Sequence, residues 1–248
     1  MSSTSPGLLT VDRGNSTIDC QRHDDGARLA FDVAAADPAP LLAFLRRAGL
    51  RSAVACSVVR EGLAAVESEL AAAGVALRIA GRDFGYPLVL DYETPATLGA
   101  DRWVGAFGAW QQHGRSIVVD CGTATTVNLV EADGTFRGGP IAPGLRAFAA
   151  GMAAVTPALP APAFDAEPQL PPRSSQAAVD VGVLLGYCGM VERLVAATLA
   201  VARGPARVVV TGGHAARLLR RTRLRATHTP DLVHRGLRAL AERLACGC

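Results

Sequence analysis

A short strand-and-turn sequence occurs twice in this chain, and the repeat limits its possible folds more than any other feature. The first copy is "LTVDRGNSTI", residues 9–18, and the second is "VVDCGTATTV", residues 118–127. Each copy has a β-branched run, an Asp, one variable residue, a Gly and then hydroxyl or amide side chains. Because strands and then helices follow each copy, the sequence predicts an internal duplication with a division near residue 113.

The predicted organisation is a disordered tail at 1–7, an N-terminal domain at 8–112 and a C-terminal domain at 113–248. Each domain is predicted to be α/β, a mixed sheet flanked by helices. A ligand site where two such domains meet is the default expectation. A long buried helix is predicted at 176–202, with an apolar run shorter than a membrane span, and the Pro-rich segment 157–173 is predicted to be an ordered loop.

Composition excludes several classes of protein. All 25 basic residues are Arg, so a P-loop nucleotide site and any mechanism with a Lys nucleophile are excluded. The formal net charge of +3 gives no reason to expect nucleic acid, and the Arg-rich stretch 217–225 is either a solvated helix end or a binding patch. The six Cys have no metal-site spacing and no signal peptide is apparent, which predicts a cytoplasmic protein without a membrane segment.

The repeated turn has the chemistry of a phosphate site. Asp12 and Asp120 each end a strand, and Gly14 and Gly122 would permit positive φ and close approach of a phosphate. The polar residues that follow offer hydroxyl, amide and backbone donors. An ordinary hairpin with an Asx turn is the alternative for either copy alone. A third strand-to-Gly turn, "VVVTGG" at 208–213, favours the phosphate site.

An arrangement of three such turns around a polyphosphate resembles the phosphate site of the actin-like phosphotransferase superfamily. This superfamily includes sugar kinases, Hsp70 and actin. That resemblance implies duplicated ribonuclease H-like domains with the active site in the cleft between them. More narrowly, the chain resembles the type III pantothenate kinases in the order and spacing of six motifs over about residues 8–240. These motifs are "TVDRGNST", "LGADRWVGAFGAW", "VVDCGTATT", "GGPIAPGL", "TPALP" and "VVVTGGHA".

The family resemblance implies ATP-dependent phosphorylation of pantothenate to 4′-phosphopantothenate, the first step of coenzyme A biosynthesis. It also implies Mg²⁺ with ATP, a monovalent cation such as K⁺ or NH₄⁺, and a cytoplasmic homodimer. On the acceptor side, Asp101 resembles the general base that takes the proton of the pantothenate hydroxyl. The other acceptor-side positions carried over from the family are Tyr92, Gly99, Ala100, Arg102 and Ser175. A helix N-cap is the alternative role for Asp101, and a core aromatic for Tyr92.

On the nucleotide side, Asp12 resembles the carboxylate near Mg²⁺-ATP and Asp120 the ligand of the monovalent cation. The phosphate-contacting positions are Gly14, Asn15, Ser16, Thr17 and Thr123. Asp19 departs from the family pattern, because a negative side chain there would repel phosphate unless it points away or meets Mg²⁺. Arg13 is expected to offset that charge.

Two other functions fit the same sequence. The chain could be a non-catalytic member of the family, similar to the Bvg accessory factor-like proteins associated with transcriptional regulation. It could also be an actin-like kinase for a different small hydroxylated acid, which the "GADR" motif at 99–102 disfavours. The presence of Asp12, Asp101 and Asp120 together favours the active enzyme, since a binding protein has no need of all three.

Overall fold

A computed structural model describes residues 7–59, 61–164, 167 and 169–246. The strands are β1 (Leu8–Arg13), β2 (Thr17–Arg22), β3 (Arg28–Asp32), β4 (Ser52–Ser57), β5 (Ala76–Ile79), β6 (Val89–Leu90), β7 (Ser116–Cys121), β8 (Ala124–Val130), β9 (Thr135–Gly138), β10 (Ile141–Pro143), β11 (Arg207–Thr211) and β12 (Ala226–His228). The helices are α1 (Ala39–Leu45), α2 (Ala64–Ala72), α3 (Ala100–His113), α4 (Leu145–Val155), α5 (Ser175–Val201), α6 (Ala215–Leu219) and α7 (Leu232–Ala245), with a short 3₁₀ turn at Pro95–Thr97.

The chain forms two compact units. The first contains residues 1–112, 134–136 and 231–248, and the second contains 113–133 and 137–230. The main change of unit after residue 112 lies where the sequence predicts a domain boundary. The last helix, α7, belongs to the first unit, whereas the sequence predicts that it is part of the C-terminal domain. The predicted tail lies outside the described residues except for Gly7, whose carbonyl accepts a hydrogen bond from Arg51 N at 2.8 Å.

The first unit has a five-stranded mixed sheet in the order β3-β2-β1-β4-β5. β1, β2 and β3 are antiparallel neighbours, whereas β1, β4 and β5 run parallel. Leu9 and Val11 point into a core that also holds Leu41 and Leu45 of α1 and Val66 and Leu70 of α2. The opposite face of β1 and β4 is covered by α7. A short parallel pair, β6 with the start of β9, also belongs to this unit.

The second unit repeats this arrangement. β7 and β8 are antiparallel, β11 runs parallel to β7 and β12 parallel to β11, while β10 adds to β8. The central strands β7 and β8 bury Ile117, Val119, Val127 and Leu129. Both units therefore place an antiparallel hairpin next to a parallel strand, which confirms the predicted duplicated α/β fold of mixed sheets flanked by helices.

The long helix α5 lies within one residue of the helix predicted at 176–202, but its apolar run is longer than the sequence predicts. It has 27 residues and by length and composition alone is apolar enough to cross a membrane. Tyr187, Val191 and Val195 on one side of it are buried in the core of the second unit. Its buried Asp180 accepts a hydrogen bond from Ala163 N at 2.6 Å, so the preceding Pro-rich loop is tied to the helix. This packing is that of a core helix.

Several elements were not predicted. β2, β10 and β12 are short strands, and β2 ("TIDCQR") mixes charged residues with apolar ones and lacks a continuous apolar run. Tertiary pairing forms them: β2 pairs with both β1 and β3, and β12 extends a sheet that β11 already begins. Whether such a segment forms a strand thus depends more on the strands beside it than on its own β-propensity.

Candidate active site

The first repeated turn connects β1 to β2. Gly14 N donates to Thr17 O at 3.0 Å and closes the turn, while Asn15, Ser16 and Thr17 are exposed. Gly14 and Gly122 do not adopt positive φ, contrary to the sequence-based expectation, and a Cβ added to either would make only ordinary contacts of 3.5 Å or more. Contacts within the protein therefore do not require glycine at these positions. A glycine at each position does leave space for a ligand to approach the main chain.

Asp12 lies at the carboxyl end of β1, beside the parallel strand β4. The two strands are in register at Asp12 and Cys56, and the Cys56 thiol donates to Asp12 Oδ1 at 3.4 Å. Cys56 is buried, and Val58 N after β4 donates to Arg13 O at 3.0 Å. The carboxylate is therefore held at the mouth of the turn with one half-buried edge.

The charge of Asp19 is paired within the first unit. Asp19 is in register with Asp12 across β1 and β2, and its carboxylate accepts hydrogen bonds from Arg28 Nε at 2.9 and 3.1 Å. His234 Nε2 on α7 lies 3.3 Å from Asp19 Oδ1. Burial opposes ionisation of Asp19, but these two partners outweigh it and lower its pKa from 3.8 to about 2.

Arg13 does not compensate Asp19. Successive residues of a strand face opposite sides, so Arg13 lies on the other face of β1 from Asp12 and Asp19. Its guanidinium donates to the Gly14 carbonyl and its stem packs near Gly62. The expectation that Arg13 offsets the charge of Asp19 is therefore wrong, and Arg28 on β3 has that role.

A chain of polar contacts runs from the Asp19 carboxylate into the interior of the first unit. The Thr10 hydroxyl lies 2.8 Å from His234 Nδ1 and 2.9 Å from His23 Nε2. A neutral imidazole has one N–H and one acceptor nitrogen. One arrangement needs only a single proton on each ring: His23 Nε2–H donates to Thr10, Thr10 donates to His234 Nδ1, and His234 Nε2–H lies near Asp19.

The acceptor-side residues gather at the start of α3. Asp101 is the second residue of this helix, and its Oδ1 accepts from Arg102 N at 2.8 Å. The buried Arg102 donates from Nη1 to Tyr92 Oη at 3.2 Å, and its guanidinium carbon lies 5.7 Å from the centre of the Tyr92 ring. Tyr92, Asp101 and Arg102, which are ten residues apart in sequence at most, thus form one polar cluster.

Gly99 is required by the position of Asp101. A Cβ at Gly99 would lie 2.7 Å from Asp101 Oδ1 and 3.7 Å from Val58 Cγ1, which follows β4. The small residues Gly99 and Ala100 therefore let the carboxylate fold back over the helix start. Burial raises the pKa of Asp101, although the side chain keeps a partly exposed edge. A carboxylate with a raised pKa is a stronger base than an ordinary Asp.

The second repeated turn is packed against two neighbouring segments of its own unit. Asp120 aligns with Thr211 of β11 and Thr126 of β8. Gly212 has φ 89°, and a Cβ there would overlap Asp120 Oδ1 and the backbone of Cys121. His214 N donates to Cys121 O at 3.0 Å. The third strand-to-Gly turn therefore closes directly on the second.

The "GGPIAPG" segment lies against the same turn. Pro143 of β10 pairs with Ala124 of β8, and a Cβ at Gly144 would overlap the carbonyl oxygens of Gly122 and Thr123. Thr123 is exposed at the turn. Asp120, Gly122 and Thr123 thus bring a carboxylate, backbone carbonyls and a hydroxyl into one short segment.

Ser175 begins α5 and is exposed. The neighbouring Ser174 is the N-cap, since its Oγ accepts from Ala177 N at 3.2 Å. The capping role therefore falls to Ser174. No described residue forms a hydrogen bond with the Ser175 hydroxyl, which suits a ligand contact.

Two solved structures share the fold of this chain. The structure is similar to a ROK family glucokinase from Streptomyces griseus, at TM-score 0.50 and 11% identity over 95% of this chain and 99% of that one. It is also similar to a Baf family transcriptional activator from Campylobacter jejuni, at TM-score 0.62 and 19% identity over 96% and 100% of the two chains. At these identities the likeness concerns the fold alone.

The family is set by the sequence comparisons. The family model described as type III pantothenate kinase matches residues 8–197. A type III pantothenate kinase from Rhizorhabdus wittichii is 34% identical, over 97% of this chain and 99% of the relative. The chain belongs to the type III pantothenate kinase family, as the motifs predict.

Proposed function

We propose that this chain transfers the γ-phosphoryl group of ATP to the primary hydroxyl of pantothenate, giving 4′-phosphopantothenate and ADP. The observation that carries the proposal is the family match along 8–197, which contains every residue assigned to the site from the sequence. The cluster of Tyr92, Asp101 and Arg102 supports it, because it combines a base with a fixed positive charge. The reaction is the first step of coenzyme A biosynthesis, and we expect it in the cytoplasm.

Asp101 acts as the general base in this proposal. The pantothenate hydroxyl oxygen forms a bond to the γ-phosphorus, its proton passes to the Asp101 carboxylate, and the bond from phosphorus to the bridging oxygen of ADP breaks. Burial, which raises the pKa of Asp101, makes the carboxylate a better proton acceptor. Arg102, held by Tyr92, binds and orients the single carboxylate of pantothenate.

The two repeated turns hold the nucleotide phosphates. Exposed donors of the first turn (Asn15, Ser16, Thr17) and of the second (Thr123) contact phosphate oxygens, with Gly14 and Gly122 leaving space for them. The Ser175 hydroxyl contacts the phosphoryl acceptor, pantothenate.

Asp12 is the residue we assign to the divalent metal, Mg²⁺. The described residues contain no cluster of three or more His, Cys, Asp or Glu side chains suited to a metal. That agrees with Mg²⁺, which commonly uses one or two carboxylates together with substrate phosphates and water. When bound, the ion neutralises charge on the phosphates.

Asp120 is the residue we assign to the monovalent cation, K⁺ or NH₄⁺. The carbonyls of Gly122 and Thr123, crowded against Gly144, supply further oxygens of the type that hard cations accept. Gly212 leaves the space that the Asp120 carboxylate occupies, because a Cβ there would overlap Asp120 Oδ1.

The test is a coupled assay of ADP formation by the purified chain with Mg²⁺-ATP. We expect activity that requires pantothenate and that rises with K⁺ or NH₄⁺ relative to Na⁺. Absence of product with every common nucleotide would replace this proposal by the non-catalytic, Bvg accessory factor-like function. Turnover with another hydroxy acid but not with pantothenate would instead support a different acceptor.

We also expect a homodimer, as the family resemblance implies. Light scattering during size-exclusion chromatography should give twice the mass of the chain, and the mass of one chain would contradict this part of the proposal.

A further inference from the structure

A depression with a volume of about 680 Å³ lies at one edge of the second unit's sheet, and we call it the basic edge. Its lining includes four basic residues (His113, Arg115, Arg207 and Arg225) and the apolar residues Pro205 and Val208. None of the residues that line the depression is an Asp or Glu. The candidate active site uses none of them.

The sheet register explains why the arginines lie together. Arg207 is the first residue of β11 and is in register with Ser116, which follows Arg115, and Arg207 N donates to Arg115 O at 3.0 Å. Val208 is in register with Ala226, which places Arg225 level with Arg207. Arg207 therefore begins β11, and Arg115 and Arg225 directly precede the adjacent parallel strands β7 and β12, at strand spacings of about 4.8 Å.

Arg115 is a fixed charge in this row. Its Nε lies 2.6 Å from Glu131 Oε2, and Glu131 is 1% exposed. Its Nη1 donates to Pro205 O at 3.4 Å. Glu131 also accepts from Arg203 N at 3.2 Å, so its carboxylate is already shared and leaves the rest of the row uncompensated.

Arg207 and Arg225 are exposed and form no ion pair with any residue in the described ranges. Like charges on neighbouring strands destabilise a sheet. Arg207 and Arg225 have this cost and no compensating carboxylate among the described residues, so the pair is suited to an anionic ligand. Guanidinium groups bind phosphate through paired hydrogen bonds, which makes phosphate the favoured anion.

We propose that the basic edge binds a small organic phosphate at a site separate from the phosphate turns. The volume falls within the range of small-ligand sites, roughly 300–1,000 Å³, and is small for an extended nucleic acid. The apolar residues Pro205 and Val208 in the lining would contact the organic part of the ligand. Asp120 lies at the other end of β7, about 15 Å along the strand, so both sites can be filled together.

The test is calorimetric titration at low salt, with phenyl phosphate as the organic probe and inorganic pyrophosphate as the bare anion. The nucleotide site is first saturated with Mg²⁺ and a non-hydrolysable ATP analogue. We expect one remaining site for phenyl phosphate, with a Kd in the micromolar to low millimolar range. Absence of phenyl phosphate binding at roughly 10 mM, about tenfold above a low-millimolar Kd, would overturn the proposal.

Two double variants with the same change in charge separate a site from general attraction. Arg207→Gln with Arg225→Gln should weaken phenyl phosphate binding at least tenfold. Arg220→Gln with Arg223→Gln, which alters the same Arg-rich segment away from the depression, should change it less than about twofold. Equal weakening in both would overturn the proposal, and unchanged thermal unfolding would show that both variants fold.

A single-stranded RNA oligonucleotide serves as the competing ligand. If it binds more tightly than phenyl phosphate and loses that binding in the Arg207/Arg225 variant, the surface is a nucleic-acid site and the small-ligand assignment is wrong. Because binding is measured without turnover, the result does not depend on the proposed kinase activity.

Discussion

At the scale of single residues, the decisive side chain is Asp101. Asp101→Asn should lower kcat by about 10²- to 10⁴-fold, because the amide cannot accept the hydroxyl proton. Burial disfavours the carboxylate, so the variant should unfold at the same temperature as the wild type or higher. The matched control is Glu93→Gln, which neutralises an exposed carboxylate one residue from Tyr92 and should keep its activity. Full activity of Asp101→Asn would exclude the base role.

His23 gives a pH dependence with a defined sign. Burial, with the charge of Arg238 next, lowers its pKa from 6.5 to about 4. Between these two values the unfolded chain binds a proton that the folded chain does not. Stability from this group is therefore complete above pH 6.5 and falls as the pH drops towards 4.

We expect the wild type to lose about 1 to 2 kcal/mol of unfolding free energy more than His23→Gln over that pH interval, after allowance for solvent screening. Urea unfolding at several pH values measures the difference. Equal pH dependence in the two proteins would show that His23 titrates normally in the folded state.

The chain of Thr10, His23, His234 and Asp19 shows where residue-level prediction from sequence stops. Thr10 and His234 are 224 positions apart, and nothing in the pattern around either one predicts the other. By contrast, the residues of "GADR" lie in one helical turn, so their mutual contact follows from local spacing. Local chemistry was predictable here, and long-range polar pairing was not.

At the scale of elements, the crossing of α3 and α7 depends on two glycines. A Cβ at Gly236 would overlap Val104 O, and one at Gly108 would lie 2.9 Å from Gly236 N. Gly236→Ala should therefore destabilise the protein by about 2 kcal/mol or more through overpacking. Gly105→Ala is the matched control, because its nearest neighbour would be Val233 Cγ2 at 3.8 Å and helix propensity favours Ala by up to about 1 kcal/mol.

Urea unfolding of the two alanine variants measures this difference. A Gly236→Ala protein as stable as Gly105→Ala would mean that the two helices separate without cost. The close approach of the two helices depends on which glycines face each other after folding, and local sequence spacing does not predict that.

At the scale of the whole molecule, the duplication was predictable because both copies carry the same strand, Asp and Gly signals. The return of α7 to the first unit was not, since an amphipathic helix fits either sheet equally well. Short strands such as β12 also escaped prediction, because they exist only through the sheet that they extend.

The position of α7 predicts the behaviour of a fragment. Residues 8–112 alone lack the helix that covers β1 and β4, and with it the buried side chains of Leu232, Val233, Leu237 and Leu240. We expect this fragment to lack cooperative unfolding. Joining residues 231–245 to it through a flexible linker should restore a cooperative transition by circular dichroism. Cooperative unfolding of 8–112 by itself would show that α7 is dispensable.

The same topology has a consequence for protein synthesis. A ribosome adding 5–20 residues per second needs roughly 6 to 24 s to pass from residue 112 to residue 230. Throughout that interval the nascent first unit exposes the face of β1 that α7 later covers. Slower synthesis over the middle of the message would leave this apolar face exposed for longer before its last helix arrives.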